Sequence, residues 1–220
     1  MAKTAAKQAI IDAFIARVES ESLRSVQVAK LIKELKINRN TFYYHFPSKY
    51  DVAFYVFRQD LAGELAQTFP KSELLYAPIG TGFEEENLPF YVHREIGART
   101  LDFGDFFKAL VRCVLARPSF YGKVFERRES EFRSFVYQLY RPAVEKDLDF
   151  ELGGRYLPPS TLEWFRDMYT HLIYDTAEYF LKHSRDAKSM LDDAINPFWN
   201  MPYEALVHEL QVHPVNRMRR

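Results

Sequence analysis

Cysteine is almost absent from this chain, with Cys113 alone among 220 residues. A lone cysteine excludes an internal disulfide and any zinc site built from several cysteines, and its place beside an apolar helical stretch predicts an inert, buried thiol. No apolar run approaches the roughly 20 residues that cross a bilayer. Residues 1–10 contain no apolar signal core, so a cytoplasmic location and no membrane partner are expected.

The chain also has no net charge, because 30 lysines and arginines balance 30 aspartates and glutamates. The balance is uneven along the sequence. Residues 1–58 contain ten basic and five acidic residues, whereas residues 59–220 contain twenty and twenty-five. A basic head on an acidic body favours a polyanion partner for the head, although a chance fluctuation in surface charge gives the same count.

Apolar residues recur at helical spacing through most of the sequence, and we find no sustained strand-like alternation and no internal repeat. An all-α fold is therefore expected. Ser25, Asn38 and Ser48 are candidate helix N-caps. The predicted helices are Ala5–Val18, Val26–Leu35, Asn38–Phe46, Lys49–Gln67, Gly104–Ala116, Ser119–Tyr140, a short Pro142–Phe150, Ser160–His183, Asp186–Ile195 and Pro202–Val212.

The segment Phe69–Asp102 differs, since it holds three prolines, three glycines and an acidic run. A structureless loop of that length is uncommon in a compact domain. We interpret it as a connection with short helical pieces, including one near Leu88–Ile96. Its role stays open.

Two short helices joined by a tight turn near residue 36 are typical of a helix-turn-helix, whose second helix enters the major groove of DNA. On the wheel of 38–46, Phe42 and Phe46 face the other helices. The remaining side chains of this helix can hydrogen-bond, and the planar fork of Arg39 could reach guanine.

This stretch resembles the DNA-binding domain of the tetracycline-repressor (TetR) family. The most specific part is Thr41-Phe42-Tyr43-Tyr44-His45-Phe46-Pro47-Ser48-Lys49, and the resemblance covers about residues 5–60. It implies a homodimeric transcriptional regulator with a three-helix DNA-binding domain at 1–50. A helical-bundle domain at 51–220 would dimerise and often hold a small-molecule effector that releases double-stranded operator DNA.

The resemblance also implies roles for nine residues. Those that match base-contacting or base-edge positions are Arg39, Asn40 and Tyr44. Those that match phosphate positions are Thr41, Tyr43, His45 and Lys49. Gln27 and Val28 match the start of the helix that rests on the DNA backbone. The sequence departs from the family at Lys36 and Asn40, where glycine or a small residue is usual, which leaves the operator sequence open. A left-handed turn at 36 predicts a positive φ for Lys36 and a solvent-facing ammonium.

Arg128 is the candidate effector residue in the body, because the wheel of a Ser119–Tyr140 helix places its charge within an apolar face. It could pair with Asp175, lie at a dimer interface, or bind an anionic effector through its bidentate fork. His171 and Asp175 are grouped with it as candidate effector contacts. They also belong to a stripe with Glu163 and Asp167 that metal ligands could form, although a solvated helix face is the better interpretation.

No nucleophile elbow, glycine-rich phosphate loop or paired zinc motif is present, so we expect no enzyme, no metal and no cofactor. The sequence favours a regulator, most simply a repressor, that binds DNA as a dimer and is released by a small molecule. A regulator controlled by a protein partner is the first alternative. A helical interaction module whose basic head binds RNA or an acidic protein is the second.

Overall fold

The computed structural model describes residues 2–77, 87–126 and 128–184, with isolated positions at 191, 204, 205 and 208. The described part is all-α apart from two small antiparallel sheets. The predicted helices Asp186–Ile195 and Pro202–Val212 lie outside the described residues, save for those isolated positions. The elements are α1 (Ala2–Ser20), α2 (Val28–Leu35), α3 (Arg39–His45), α4 (Lys49–Thr68), β1 (Leu74–Tyr76), β2 (Pro89–Val92), β3 (Glu95–Gly97), β4 (Thr100–Leu101), α5 (Gly104–Ala116), α6 (Pro118–Val124), α7 (Ser130–Leu152) and α8 (Pro159–Lys182).

Helices α1 to α3 form a small head around one apolar centre. Its buried side chains come from all three helices and from the loops between them: Ile10, Phe14, Val18, Leu23, Val26, Leu31, Phe42 and Phe46. The head is joined to the rest of the core through α1, where the Phe14 ring meets Phe120 of α6 edge-on at 6.3 Å. One apolar core therefore runs from the head into the body.

The turn between α2 and α3 confirms the prediction for Lys36. Its φ of 52° and ψ of 34° are left-handed, and its N–H donates to the carbonyls of Ile32 and Lys33. The lysine side chain is exposed. Asn38 then caps α3 by accepting from the Asn40 N–H at 2.9 Å. Ser48 caps α4 by accepting from the N–H groups of Tyr50 and Asp51.

The predicted start of α2 is wrong by two residues. The helix begins at Val28, Gln27 occupies the N-cap position, and no side chain caps it. Ser25 instead closes a turn with Ser22, through a 2.7 Å contact between their hydroxyls and a backbone hydrogen bond at 2.9 Å. This local turn competes with helix at Ser25 and places Val26 in the head core.

The segment 69–102 contains strands where we expected helical pieces, so the prediction for Leu88–Ile96 is wrong. Strand β1 pairs antiparallel with β2, and β3 pairs with β4. All four residues of β2 are buried. Tyr91 meets Phe106 of α5 with ring centroids 4.7 Å apart. The aromatic and β-branched residues of β2 fit a pleated, buried surface better than a helix.

The predicted helix Ser119–Tyr140 is also wrong, because α6 ends at Val124 and α7 begins only at Ser130. Phe125 explains the break. It turns into the core against Phe132 at 5.0 Å and Tyr174 at 5.0 Å. α7 then continues through Pro142, since buried Ala143, Val144 and Leu148 keep the helix packed against the body. The separate helix expected at Pro142–Phe150 is therefore part of α7.

Candidate nucleic-acid interface

Helix α3 presents a polar and aromatic face to solvent. Phe42 is fully buried and Phe46 nearly so, which fixes the rotation of the helix on the head. Tyr44 is 68% exposed and Tyr43 is 42% exposed. Arg39 and Asn40 are exposed, and Thr41 and His45 are half-buried at the sides. The rotation predicted from the sequence is confirmed, and it leaves six side chains that can hydrogen-bond on or beside one face.

Two aromatic contacts order the side chains on this face. The guanidinium of Arg39 lies 5.4 Å from the centre of the Tyr43 ring. The Tyr44 and His45 rings meet edge-on at 5.1 Å. A cation held on an aromatic face loses less freedom when it binds, and its planar fork still has donors for a base edge or a phosphate. This arrangement suits contact with DNA, while the individual roles of these residues stay predictions.

Helix α2 precedes α3 in the chain, as a helix-turn-helix requires. Gln27 is exposed and Val28 is half-buried. The N–H of Lys30 donates to the Gln27 carbonyl at 3.0 Å, and the N–H groups at the very start of a helix point outward, where an anion such as a phosphate can accept from them. The expected contact of Gln27 and Val28 with the DNA backbone stays a prediction.

Lys49 begins α4 and already has partners within the protein. Its ammonium donates to the carbonyls of Arg24 at 2.6 Å and Val26 at 3.1 Å. Burial lowers the pKa of Lys49 below its ordinary value. An ammonium has three donors, so one remains for the predicted phosphate contact. Sequence reasoning missed the internal role, because it depends on a loop 23 to 25 residues away.

The candidate effector residues do not form a site. Arg128 is exposed in the connection between α6 and α7, so the prediction that it lies on an apolar helix face is wrong. Asp175 pairs with Arg133 at 3.0 Å instead of Arg128. His171 is exposed on α8, and its ring lies 5.1 Å from that of Tyr137. The break at 125–129 changed the helical phase on which the Arg128 prediction depended.

Replacing Arg128 by methionine should therefore change little. We expect the melting temperature to stay within about 2 °C of wild type, because exposed substitutions seldom alter the free energy of unfolding by more than about 0.5 kcal/mol. Thermal unfolding followed by circular dichroism measures this. A loss of several degrees would show that Arg128 holds a structural pair after all.

The acidic stripe on α8 packs along α7. Glu163 pairs with Arg141, and Asp167 accepts from the Tyr137 hydroxyl at 2.6 Å. The carboxylates of Glu163 and Asp167 therefore hold α8 against α7. Among the described residues, no group of three histidine, cysteine or acidic side chains is placed to hold a metal ion. Cys113 is fully buried, as its position in the sequence predicts, and burial raises its pKa.

A buried ionisable cluster between the strands and α7 was not predicted. His93 follows β2, and its Nδ1 lies 2.7 Å from the carboxylate of Asp147, which is fully buried. One helical turn further, the Glu151 carboxylate accepts from the Leu101 N–H at 2.8 Å. The signal was available, since these two carboxylates lie four residues apart on a stretch whose other inward residues, Val144 and Leu148, are apolar.

Burial and pairing shift the titration of all three groups. The hydrogen bond to Asp147 raises the pKa of His93. Burial raises the pKa of Asp147, against the opposing effect of His93. Burial raises the pKa of Glu151 to about 7. This cluster joins the segment 69–102 to α7 and lies apart from the α3 face.

None of the helices in the described ranges is both long and apolar enough to span a membrane. Three packed helices, a left-handed turn before α3 and an exposed polar face on α3 define a helix-turn-helix DNA-binding protein. The family model described as "Bacterial regulatory proteins, tetR family" matches residues 10–56, which run from α1 through α2 and α3 into α4. Residues 10–56 therefore carry the helix-turn-helix DNA-binding domain that these transcription regulators share.

The chain was also compared with curated proteins and with solved structures. A search of curated proteins gave no match. Among solved structures, the chain is similar to the dihydroxyacetone kinase operon activator DhaS. The two share 13% sequence identity with a TM-score of 0.47, over 97% of this chain and 98% of that one.

Proposed function

We propose that two copies of this chain bind an operator through their α3 faces and repress transcription, and that a small molecule releases them. The observation that carries DNA binding is the exposed α3 face, with Arg39 ordered on Tyr43. In this proposal residues 1–50 form the DNA-binding domain. Residues 51–220 form the domain that dimerises and binds the effector. The nine residues to which the sequence analysis assigns DNA contacts bind the operator.

Dimerisation follows from the size of the reading surface. Helix α3 has seven residues, so one copy contacts few base pairs. Two copies related by a two-fold axis double the contacts, and their centres must lie about 34–36 Å apart, or a multiple of that, to meet successive major grooves. The basic excess of residues 1–58 adds attraction to phosphates at every site.

A groove between α4 and α7 supports the effector part of the proposal. Its volume is about 500 Å³, and its lining includes Phe54, Phe135, Ser134 and Gln138. The two phenylalanine rings are stacked, with centroids 3.9 Å apart and planes within 8°. Apolar rings beside serine hydroxyls and the Glu131 carboxylate, in an open groove, suit a small organic molecule with polar substituents. Because α4 begins at the head, a ligand here would contact a helix that leads to the DNA.

Sedimentation tests the dimer. At micromolar concentration we expect twice the 26.0 kDa mass of one chain, and two chains on each duplex that carries a paired half-site. A bovine albumin standard of known mass in the same run checks the calibration. A single chain with and without specific duplex would overturn the dimeric proposal.

The direction of regulation needs a separate experiment. Deleting the gene should raise transcription of the genes it controls if the protein is a repressor, and a fall would show an activator. The alternative is a regulator that a protein partner releases from DNA. In that case the purified protein should stay bound to DNA in the presence of every small molecule tested.

A further inference from the structure

The loop before α2 is held by the first residue of α4. The ammonium of Lys49 donates to the carbonyl of Arg24 at 2.6 Å and to the carbonyl of Val26 at 3.1 Å. Residue 26 lies two positions before the start of α2. One side chain therefore joins the start of α4 to the chain just before the first helix of the helix-turn-helix.

Lysine is an unexpected residue at the first position of a helix. A cation there opposes the helix dipole, which favours negative charge at this end. The cap of α4 is complete without it, since the Ser48 hydroxyl accepts from the Asp51 N–H at 3.4 Å and donates to the Asp51 carboxylate at 2.6 Å. The hydrogen bonds of the Lys49 ammonium go to the loop at 24–26 instead.

The opposite side of the same loop is packed into the head. Val26 is buried in the apolar centre, and the N–H groups of Ser25 and Val26 donate to the Ser22 carbonyl at 2.9 and 3.3 Å. The Lys49 ammonium lies against the outward carbonyls. Without it, the loop would be held from the core side alone, and the first turn of α2 would gain freedom to move.

We propose that Lys49 is a positioning residue for DNA binding, which holds the start of α2 in place through its hydrogen bonds to the carbonyls of Arg24 and Val26. This inference rests on the proposed function, in which Gln27 and Val28 contact the DNA backbone. A helix start that is already in place loses less freedom when DNA binds, so its contacts contribute more to affinity. The role differs from the phosphate contact that the resemblance implies for Lys49, because it acts through other residues.

The ammonium can be observed in the wild-type protein by nuclear magnetic resonance with isotope-labelled lysine. Two hydrogen bonds to carbonyls should slow the exchange of the Lys49 ammonium protons with water by about tenfold relative to those of Lys33. Lys33 serves as the reference because it is exposed on α2. Equal exchange for the two lysines overturns the proposal.

Two variants separate the hydrogen bonds from the charge. Lys49→Met keeps most of the length of the side chain and removes the ammonium with its donors. Lys33→Met removes the same group from an exposed position and is the matched control. Circular dichroism melting verifies that each full-length variant is folded.

Backbone hydrogen exchange reports the loop in the absence of DNA. We expect about tenfold faster exchange of the Ser25 and Val26 N–H groups in Lys49→Met, because the loop loses hydrogen bonds to a charged group. Exchange in Lys33→Met should stay within about twofold of wild type, since a distant exposed change leaves the local opening of the loop unaltered. Unchanged exchange in Lys49→Met overturns the proposal.

A double-mutant cycle with Gln27→Ala tests the consequence for DNA binding. If Lys49 acts through the start of α2, Gln27→Ala should weaken binding to a specific duplex about threefold less in Lys49→Met than in wild type, within the range measured for coupled residues. The cycle of Lys33→Met with Gln27→Ala should give additive losses. Additive losses for Lys49→Met would show an independent contact with phosphate and would overturn the positioning role. If wild type does not bind DNA, the proposed function fails, while the two exchange experiments still decide whether Lys49 holds the loop.

Discussion

Replacing Arg39 by alanine is expected to lower affinity for specific operator DNA by about 1–3 kcal/mol, while affinity for random DNA falls much less. The reason is that a guanidinium fork discriminates between bases by paired hydrogen bonds to a base edge, and that discrimination is lost with the fork. Its stacking on Tyr43 makes the loss larger, since the fork is ordered before DNA arrives. Competition binding with specific and random duplexes measures both affinities.

Lys33→Ala is the matched control for Arg39→Ala. It removes one positive charge from an exposed position on α2, outside α3. We expect it to weaken specific and random binding equally, because a distant cation contributes only attraction to phosphates. If Arg39→Ala behaves in the same way as Lys33→Ala, then Arg39 contacts phosphate and the base-reading assignment is wrong.

Replacing Glu151 by glutamine is expected to raise the free energy of unfolding at pH 8 by on the order of 2 kcal/mol and to leave it unchanged near pH 4. The pKa of Glu151 is raised from 4.5 to about 7, so the folded state holds its proton more tightly than the unfolded chain. The wild-type protein therefore loses stability as the pH rises from about 4.5 through 7. Glutamine keeps the acceptor for the Leu101 N–H and does not ionise.

Urea unfolding at several pH values measures this difference. His93 and Asp147 also have raised pKa values, so a smaller decline with pH should remain in Glu151→Gln. Asp149→Asn, on an exposed position of the same helix, should leave the wild-type pH profile unchanged. If the free energy of unfolding changed with pH in the same way in wild type and in Glu151→Gln, the ionisation of Glu151 would not be what lowers stability.

The head could be predicted from the sequence because short-range chemistry determines it. Phe42 and Phe46 fix the rotation of α3, and the Asn38 and Ser48 side chains cap the helices they precede. The left-handed backbone at Lys36 follows from the turn that the motif requires. The sequence pattern that predicts each of these features lies within about ten positions.

The body resisted prediction where distant contacts decide the structure. Strand β2 pairs along its edge with β1 and packs Tyr91 against Phe106 of α5, and a short, fully buried apolar run of this kind lacks the alternation that marks a strand in a sequence. Phe125 ends α6 by packing against rings from α4 and α8. The phase error that this break produced placed Arg128 in the core, although it is exposed.

In the candidate interface too, local features could be predicted and distant contacts could not. Which residues lie on the exposed face of α3 follows from helical periodicity. The hydrogen bonds of Lys49 to the carbonyls of Arg24 and Val26 join segments separated by more than twenty residues. Such contacts are visible only once the chain has folded, and they determine how the reading face is held.

Selection of binding sites from random-sequence duplex DNA by the purified protein tests the central claim most directly. Two α3 faces on a two-fold axis predict an inverted repeat whose half-site centres lie about one helical turn apart, or a multiple of that. Arg39→Ala should select the same spacing with relaxed preference at one position in each half-site. Enrichment of an unpaired site, or of no sequence above the random pool, would contradict the claim that the protein is a dimeric operator-binding regulator.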